Sequence, residues 1–439
     1  MRERAASAPA LSVLISERSR RTASSPSVWV GVLGCAVIAL VLRVVFVGDQ
    51  SLGYEEVFTR TVVAAPNLSG LWHALERTES TPPLYYVLTW LWVKIGGSDG
   101  AAALRAISVI AGVATVPVVF AAVRSFLGSR EALVVAWLAA ISPVLVGYSI
   151  YARSYALLVL AGALSVWALT SVLDEPSRGR WALWALTSVV AVWTHYFAGF
   201  LIVAEVAFLL FALPGSRRSL LLASVAVAAA VAPLWQLFHA QNSAAERTAY
   251  IAARPLGSRL GDVVRQFSMG TNVPATWLEA AGIALFGAAT LYGAARAARD
   301  PDTRVFAVVA AIAAALPVLS ALTGIDDHLL ARNLLAEWIC VAALAAYPLT
   351  MARRLPLLAY SVICVATVLL VQTNWHYRAA TDWQGAAARL RGPASGQPVA
   401  VIPGVQEPVA ALYLRRAPLA APASSADLWV AVEPARGAG

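Results

Sequence analysis

The sequence predicts an all-α polytopic membrane protein with about eleven transmembrane helices. Of its 439 residues, 59% are hydrophobic and only 13% are charged, and the mean hydropathy is +0.70. Soluble domains carry about 25% charged residues, so this composition excludes an ordinary water-soluble enzyme. Apolar runs of about 18 to 22 residues, long enough to cross the hydrocarbon core of a bilayer, recur between residues 28 and 372.

The apolar runs place the predicted transmembrane helices in order along the chain. The spans lie at about 28–48, 102–123, 131–148, 154–173, 181–196, 197–213, 219–238, 276–295, 304–323, 331–349 and 354–372. Arginines in short loops mark the cytoplasmic side of a membrane protein. Arginine clusters at 18–21, 124–130, 178–180, 217–218, 296–304 and 353–354 therefore predict a cytoplasmic N-terminus and an extracytoplasmic C-terminus.

The first outer loop, 49–101, contains an apolar segment from Pro82 to Gly97 that we predict does not cross the membrane. Its continuous apolar run, from Pro83 to Lys94, is too short for a span, which favours a helix lying at the membrane surface. Counting helices agrees with this interpretation. If the segment crossed, every later arginine cluster would lie on the outer side, against the positive-inside rule.

The two ends of the chain differ in character from the apolar region, 28–372. Residues 1–27 are rich in Arg, Ser and Ala and are predicted to be a disordered cytoplasmic N-terminus. Residues 373–439 predict a small extracytoplasmic α/β segment, with helices at 382–391 and 407–414 and a strand at 399–402. This segment is too short to bury a large core of its own.

The excess of basic residues indicates topology rather than nucleic acid binding. The net charge is +9 and the pI is about 9.8, but the arginines cluster between apolar runs and do not form one aromatic-interleaved face. The three cysteines, Cys35, Cys340 and Cys364, lie inside apolar runs without metal-ligand spacing. We expect them to be core residues.

An acidic pair, Glu55 and Glu56, follows the first predicted span in the segment SLGYEEVFTR. A glutamate with an ordinary pKa of about 4.3 is ionised near neutral pH. At the boundary between water and membrane it can remove a proton from a hydroxyl group of a substrate, which is general base catalysis. These two residues are the candidate catalytic residues, although ordinary juxtamembrane charges give the same pattern.

Arg153 and Arg332 are the candidate phosphate-binding residues. Arg153 lies at a short outer turn, against the positive-inside rule, and burying an arginine near the membrane centre costs about 2.5–3.5 kcal/mol. An anionic partner offsets that cost, and a guanidinium group matches phosphate oxygens well. The alternative is a structural ion pair with Glu55 or Glu56.

The turn GIDDHLLARN supplies Arg332 together with Asp326, Asp327 and His328. Two aspartates and a histidine offer ligands to a hard cation, but neighbouring residues on one turn do not make a coordination shell. We therefore predict no metal site and no required cofactor, with a divalent cation left open but unsupported.

Aromatic and histidine side chains near the outer turns are the candidate lining of a substrate cavity. They are Tyr85, Tyr86, Tyr148, Tyr151, Tyr155, His195, Tyr196 and His328. The two prolines of TPPLYY fix a rigid corner that orients the first two tyrosines. A simple aromatic belt at the membrane interface is the alternative for the tyrosines, and a hydrogen-bonded structural residue is the alternative for His195.

The order of these motifs resembles the glycosyltransferase C superfamily. The matching segments are the acidic pair, TPPLYY (81–86), ALRAISVIAG (103–112), SPVLVGYSIYARSYAL (142–157), THYF (194–197) and DWQGAAARL (382–390). More narrowly, the sequence is similar to the branch that contains the protein O-mannosyltransferases and the lipid A aminoarabinose transferase. The resemblance extends from residue 28 to 415 and is strongest from 30 to 160.

This resemblance implies an inverting transferase of the bacterial plasma membrane. Such an enzyme moves mannose or a related sugar from a polyprenyl-phosphate carrier to a hydroxyl group of a glycan, lipid or protein on the outer face. Its partners are the lipid-linked donor, the acceptor and membrane lipids, without nucleic acid. The alternatives are a flippase or transporter of a lipid-linked sugar, and a noncatalytic scaffold that presents the outer tail.

The sequence departs from the family pattern at three positions. The first-loop motif of the family is usually Asp-Glu, with the aspartate as base, whereas both positions are glutamate here, Glu55 and Glu56. Where many relatives have a second aspartate this chain has Tyr155, which with Arg153 matches the Arg-x-Tyr pattern of a subgroup. A lysine found before the double proline in some relatives is Thr81 here, so phosphate neutralisation depends more on arginines.

Overall fold

The computed structural model describes residues 26–48, 50–242, 249–323, 327–351, 354–373, 382–390, 399–402, 407–414 and 429–432. The N-terminal half contains α1 (Pro26–Val44), α2 (Tyr54–Val63), α3 (Leu68–Thr78), α4 (Leu84–Gly96), α5 (Ala101–Leu127), α6 (Ser129–Ile141), α7 (Pro143–Ser149), α8 (Tyr155–Asp174), α9 (Arg178–Thr194), α10 (Ala198–Ala212), α11 (Arg217–Val231) and α12 (Leu234–Asn242). The C-terminal half contains α13 (Ala249–Ala252), α14 (Leu256–Met269), α15 (Thr276–Ala297), α16 (Pro301–Thr323), α17 (Trp338–Leu349), α18 (Leu355–Thr373), α19 (Trp383–Leu390), β1 (Val399–Ile402), α20 (Glu407–Leu414) and β2 (Trp429–Val432). Short 3-10 helices cover Pro214–Ser216 and Ala331–Glu337.

The predicted fold class, an all-α multi-pass membrane protein, is confirmed. Within the described part of the chain, six helices are long and apolar enough to cross a membrane: α1, α5, α8, α15, α16 and α18. Two bent pairs raise this number to eight, namely α6 with α7, bent by 52°, and α10 with the segment Pro214–Val231, bent by 110°. The predicted number of eleven spans stays a prediction.

Prolines account for two of the interruptions within the predicted spans. The segment 131–148 bends at Pro143, which lacks the N–H needed to continue the helix and disfavours helical backbone at the preceding residue. Within the segment 219–238, one helix ends at Val231 and the next begins at Leu234, with Pro233 between them. The segment 331–349 begins as a 3-10 helix and becomes α-helical only at Trp338.

Three helices of the first outer loop, α2, α3 and α4, form a layer over the end of the bundle. α4 has 13 residues, so it is about 20 Å long and shorter than the roughly 30 Å hydrocarbon core. α3 begins at Asn67, whose side chain accepts a hydrogen bond from the N–H of Gly70 at 2.8 Å. The layer packs against α5 and α8 through buried residues that include Leu71, Leu75 and Tyr85.

A close approach between α8 and the 3-10 helix Ala331–Glu337 fixes the position of the 3-10 helix. A Cβ atom at Gly162 of α8 would lie 2.6 Å from the carbonyl oxygen of Ala336, so only glycine fits there. The 3-10 helix carries Arg332, and its packing therefore places this arginine beside Glu55.

The C-terminal elements pack on the first outer loop. β1 and β2 pair in parallel, with Val399 beside Trp429, and α19 and α20 bury side chains against Leu52, Val57 and other residues of the loop. The backbone N–H of Leu52 donates a hydrogen bond to the Tyr413 hydroxyl group at 2.6 Å. The small α/β appendage in the predicted fold class is thus confirmed, while the division of the chain at residue 372 stays a prediction. Of the predicted N-terminal region, 1–27, residues 1–25 lie outside the described residues.

Candidate active site

A buried ion pair between Glu56 and Arg105 forms the base of the site. Arg105 donates from Nε to Oε1 of Glu56 at 2.8 Å and from Nη2 to Oε2 at 2.7 Å. The backbone N–H of Ala152 donates to Oε1 at 2.7 Å, and that of Gly53 donates to Oε2 at 2.8 Å. These bonds fill the roughly four lone-pair positions of the carboxylate, so Glu56 has no free position for a substrate proton.

Arg105 also fixes the chain just before the acidic pair. Its Nη1 donates to the carbonyl oxygens of Val47 at 2.8 Å and Gln50 at 3.0 Å, and its Nη2 donates to that of Ser51 at 3.0 Å. All five N–H groups are therefore engaged. Sequence reasoning missed this residue, although an arginine inside a predicted span signals a buried partner.

Glu55, the neighbour of Glu56, has a half-buried carboxylate with 28% of its side chain exposed. Arg332 donates from Nη1 to its Oε1 at 2.8 Å, Arg153 Nε lies 3.7 Å from its Oε2, and the Tyr151 hydroxyl group is 3.5 Å from Oε2. Burial alone raises the pKa of Glu55, but the charges of Arg332 and Arg153 outweigh burial and hold this pKa below its ordinary value. Glu55 is therefore ionised at neutral pH and open to solvent on one side.

Arg153 lies between the carboxylates of Glu79 and Glu55. Its Nη1 donates to Oε1 of Glu79 at 2.7 Å and to the backbone carbonyl oxygen of Glu55 at 3.4 Å, and its guanidinium lies 5.9 Å from the ring centre of Tyr86. Burial raises the pKa of Glu79 more than Arg153 lowers it. The sequence left a pair with Glu55 or Glu56 open for Arg153, and it missed Glu79 as the main partner.

A cavity of about 210 Å³ opens beside Glu55 and is lined by both polar and apolar side chains. The charged side chains of its wall are Glu55, Glu56, Arg105 and Arg332. The apolar side chains include Val144 of α7, Met269 of α14, and Val368 and Val371 of α18. This cavity, here called the amphipathic cavity, suits a ligand with a charged head and an apolar chain.

A second cavity of about 470 Å³ shares Glu55, Tyr148, Thr271 and Arg332 with the amphipathic cavity. Its remaining wall includes three polar residues of α14, Arg259, Asp262 and Gln266, together with Tyr54, Arg254, Leu330 and Ala331. This second cavity is here called the polar cavity. The arginines of this wall are paired, Arg259 with Asp327 at 2.6 Å and Arg254 with Asp262. Glu55 and Arg332 thus lie where an amphipathic cavity and a polar cavity meet.

A row of aromatic rings extends from Tyr148 to His328, and Arg332 lies over one of them, the ring of Tyr155. Ring centres are separated by 4.8 Å from Tyr148 to Tyr155, 5.8 Å from Tyr155 to His195, 5.3 Å from His195 to Phe197 and 5.0 Å from Phe197 to His328. The guanidinium of Arg332 lies 5.7 Å from the Tyr155 ring centre. This row brings together residues from three separate segments of the sequence, 142–157, 194–197 and 328–332.

The structure divides the predicted cavity residues into two groups. Tyr148 and Tyr151 line the amphipathic cavity, whereas the described walls of the two cavities do not include Tyr155, His195, Tyr196 or His328. Tyr155 and His195 are buried, and Tyr196 donates to the side-chain oxygen of Gln241 at 2.9 Å.

Tyr85 and Tyr86 are packed among buried side chains, and the described walls of the two cavities do not include them. Both are fully buried. The Tyr85 hydroxyl group is hydrogen-bonded to Ser108 Oγ at 3.0 Å, and that of Tyr86 to Thr81 Oγ1 at 2.9 Å. The Tyr85 ring thus contacts α5 and the Tyr86 ring lies beside Arg153, and their place in the lining of a substrate cavity stays a prediction.

The described residues contain no group of three or more His, Cys, Asp or Glu side chains able to hold a metal ion. Asp327 of the DDH sequence is the ion-pair partner of Arg259. Asp326 lies outside the described residues.

Comparisons with known proteins agree with this architecture. The sequence model of the family described as dolichyl-phosphate-mannose-protein mannosyltransferase matches residues 80–239. The structure is similar to that of ArnT from Cupriavidus metallidurans in the apo state, with a TM-score of 0.60 and 15% sequence identity over 90% of this chain and 86% of that chain. ArnT bound to undecaprenyl phosphate matches with a TM-score of 0.59, 14% identity and the same coverage of both chains.

A more distant solved relative is the archaeal oligosaccharyltransferase AglB from Archaeoglobus fulgidus, in complex with an inhibitory peptide and a dolichol-phosphate. It matches with a TM-score of 0.52 and 15% identity over 90% of this chain, which spans 64% of that chain. No curated protein sequence matches. The chain therefore has the glycosyltransferase C fold, and the resemblance seen in the sequence motifs is confirmed.

Proposed function

We propose that this protein is an inverting glycosyltransferase that moves a sugar from a polyprenyl-phosphate carrier to an acceptor hydroxyl group at the outer face of the membrane. The observation that carries the proposal is the position of Glu55 and Arg332 at the junction of the amphipathic and polar cavities. The structure of ArnT bound to undecaprenyl phosphate gives independent support for the class of donor.

The amphipathic cavity fits the two chemical parts of such a donor. Its apolar side chains on α7 and α18 contact the isoprenoid chain near the phosphate, and its charged side chains contact the phosphate. Arg332 offers a planar fork of N–H donors that matches phosphate oxygens. The polar cavity on the other side of Glu55 then takes the acceptor.

The transfer needs one base and one group that stabilises the leaving phosphate. The acceptor oxygen attacks the anomeric carbon while the bond from this carbon to the phosphate oxygen breaks on the opposite face. The acceptor proton passes to Glu55. The negative charge that develops on the departing polyprenyl phosphate is stabilised by Arg332.

The ion pair between Glu55 and Arg332 suggests that donor binding activates the base. In this structure the two arginines lower the pKa of Glu55, which makes it a weak base. A donor phosphate competes with Glu55 for Arg332 and brings a negative charge close to the carboxylate. Both changes raise the pKa of Glu55 toward the value that suits a base near neutral pH.

The surrounding residues take positioning roles in this proposal. The Glu56–Arg105 pair holds the start of α2, and the pair of Arg153 with Glu79 holds the backbone carbonyl of Glu55. We therefore assign Glu55 alone as the base and Arg332 as the direct phosphate contact. Arg153 acts through Glu55 rather than on the phosphate.

The proposal extends to the setting of the reaction. The sugar is mannose or a related sugar, and the acceptor is a glycan, a lipid or a protein. The protein lies in the bacterial plasma membrane, with a cytoplasmic N-terminal segment (1–27), a membrane domain (28–372) and an extracytoplasmic C-terminal segment (373–439).

The test is a transfer assay with membranes and polyprenyl-phosphate mannose labelled in the sugar. Glu55→Gln removes the base and is expected to lower turnover by about a hundred- to ten-thousandfold. Glu175→Gln is the matched control, because Glu175 is an exposed carboxylate outside both cavities. Unchanged turnover in Glu55→Gln removes Glu55 as the base. A transporter would move the labelled lipid without breaking the bond between sugar and phosphate.

A further inference from the structure

A third cavity, of about 610 Å³, lies at the opposite end of the helices that border the amphipathic cavity. It is here called the Arg130–Arg354 groove. Its walls come from the first half of α1, from α6 and from the start of α18. The amphipathic cavity instead uses α7, which follows α6, and residues 367–372 near the end of α18. The two cavities therefore lie toward opposite faces of the membrane.

Most residues of the groove wall are apolar. Its side walls include Val28 of α1, Leu133 and Trp137 of α6, and Leu357 of α18. Large apolar side chains on the neighbouring exposed faces of α1 and α18 are solvent-accessible in the isolated chain, such as Val30 at 69% and Leu358 at 61%. In a membrane protein such surfaces face lipid, so the groove adjoins the acyl chains of the bilayer.

Two arginines with exposed side chains lie at the mouth of the groove. Arg130 donates from Nη2 to the carbonyl oxygen of Thr350 at 3.2 Å. In the part of the chain that the structure describes, neither Arg130 nor Arg354 forms an ion pair with a carboxylate. Glu131, the acidic residue in the first turn of α6, is not on the described wall of the groove. The mouth thus carries two positive charges without a protein counter-ion among these residues.

The backbone adds to this positive potential. The N-terminal ends of α6, at Ser129, and of α18, at Leu355, both border the mouth, and helix N-termini carry partial positive charge.

Arg354 has a φ angle of 66° and is the one non-glycine residue with positive φ among the described residues. This conformation costs a side-chain-bearing residue about 1–2 kcal/mol.

We propose that the Arg130–Arg354 groove binds an anionic phospholipid. The phosphate of the headgroup lies between the two arginines, and one acyl chain lies against Val28, Leu133 and Trp137. Basic pockets between transmembrane helices recognise anionic headgroups in this way. The arginine clusters place this end of the bundle on the cytoplasmic side, where anionic lipids are abundant. This inference does not depend on the proposed transfer reaction.

The test measures lipid binding to the purified full-length protein. Dioleoyl phosphatidylglycerol and dioleoyl phosphatidylcholine are titrated separately, and bound lipid is counted by native mass spectrometry. The wild-type protein is expected to prefer phosphatidylglycerol. At about fivefold for each surface arginine, the double variant Arg130→Gln, Arg354→Gln is expected to lose about thirtyfold in affinity for phosphatidylglycerol and little for phosphatidylcholine.

Two further variants separate the groove from general surface charge. Arg217→Gln with Arg218→Gln removes two exposed arginines from the first turn of α11, outside the groove, and should leave phosphatidylglycerol binding unchanged. Leu133→Trp fills the groove but keeps both arginines, and it should abolish the bound lipid.

Three results overturn the proposal. They are equal binding of the two lipids by the wild-type protein, an equal loss in both arginine double variants, and displacement of the lipid by millimolar inorganic phosphate. The comparison of the two lipids on the wild-type protein decides the matter even if a variant fails to fold.

Discussion

The neighbouring residues Glu55 and Glu56 are predicted to fail in different ways when each is replaced by glutamine. In Glu56→Gln, an NH2 group replaces one oxygen of a carboxylate that accepts hydrogen bonds from Arg105, Gly53 and Ala152. This change leaves the buried guanidinium without its counter-ion. Breaking a buried ion pair by removing one partner costs about 3–5 kcal/mol, and we expect a loss of that size in the free energy of unfolding.

Glu55→Gln is predicted to reduce turnover with little loss of stability. The carboxylate of Glu55 is half-exposed, and its contact with Arg332 at 2.8 Å is open to solvent on one side. Exposed ion pairs contribute about 0–1 kcal/mol. Thermal unfolding of both variants in detergent, alongside the transfer assay, separates a catalytic defect from a structural one.

A double-mutant cycle tests the buried pair itself. Arg105→Met in the Glu56→Gln background removes the unpaired charge, so the double variant should lose less stability than the two single variants summed. Additive losses would show that Glu56 and Arg105 do not depend on each other. Our assignment of Glu56 as a positioning residue would be refuted by a Glu56→Gln protein that unfolds like the wild type yet has no turnover.

Three other predictions concern the same site. Arg332 and Arg153 lower the pKa of Glu55 when no donor is bound, so activity should be lost as pH falls through that pKa. The acidic limb of kcat/KM, which reports the free enzyme, should lie at lower pH than the acidic limb of kcat, because bound phosphate raises the pKa of Glu55. Acidic limbs that coincide in the two pH–rate profiles would contradict this prediction. Arg332→Gln should lower kcat by about a hundred- to thousandfold and move the acidic limb of kcat/KM to higher pH, and Arg332→Lys should restore part of the rate. Trp383→Ala removes a ring buried against the first outer loop, at about 3–5 kcal/mol, and should lower turnover and speed proteolysis of the C-terminal segment, whereas the exposed Trp277→Ala should do neither.

The sequence was sufficient to predict the fold class and several local features, because these depend on nearby residues. Long apolar runs specify spanning helices, and the Pro82–Pro83 corner with a short apolar run specifies α4. Span ends were less predictable where a break depends on one residue. Pro143 bends a segment whose hydropathy is continuous, and the 3-10 turn at Ala331 has no comparable local signal.

The partners within the candidate site could not be predicted, because they join residues far apart in the sequence. Arg105 lies 49 positions from Glu56, and Glu79 lies 74 positions from Arg153. The need of a buried arginine for an anion was evident from the sequence, but the choice among nearby carboxylates depends on tertiary packing. Tertiary packing also decides that the Tyr85 ring is fully buried, with its hydroxyl group bonded to Ser108.

A structure of the protein with a bound polyprenyl phosphate tests the central claim most directly. We predict the phosphate within hydrogen-bond distance of Arg332, with the nearest isoprenoid units between α7 and α18 and Glu55 released from the arginine. A phosphate bound elsewhere, with the contact between Glu55 and Arg332 unchanged, would contradict it.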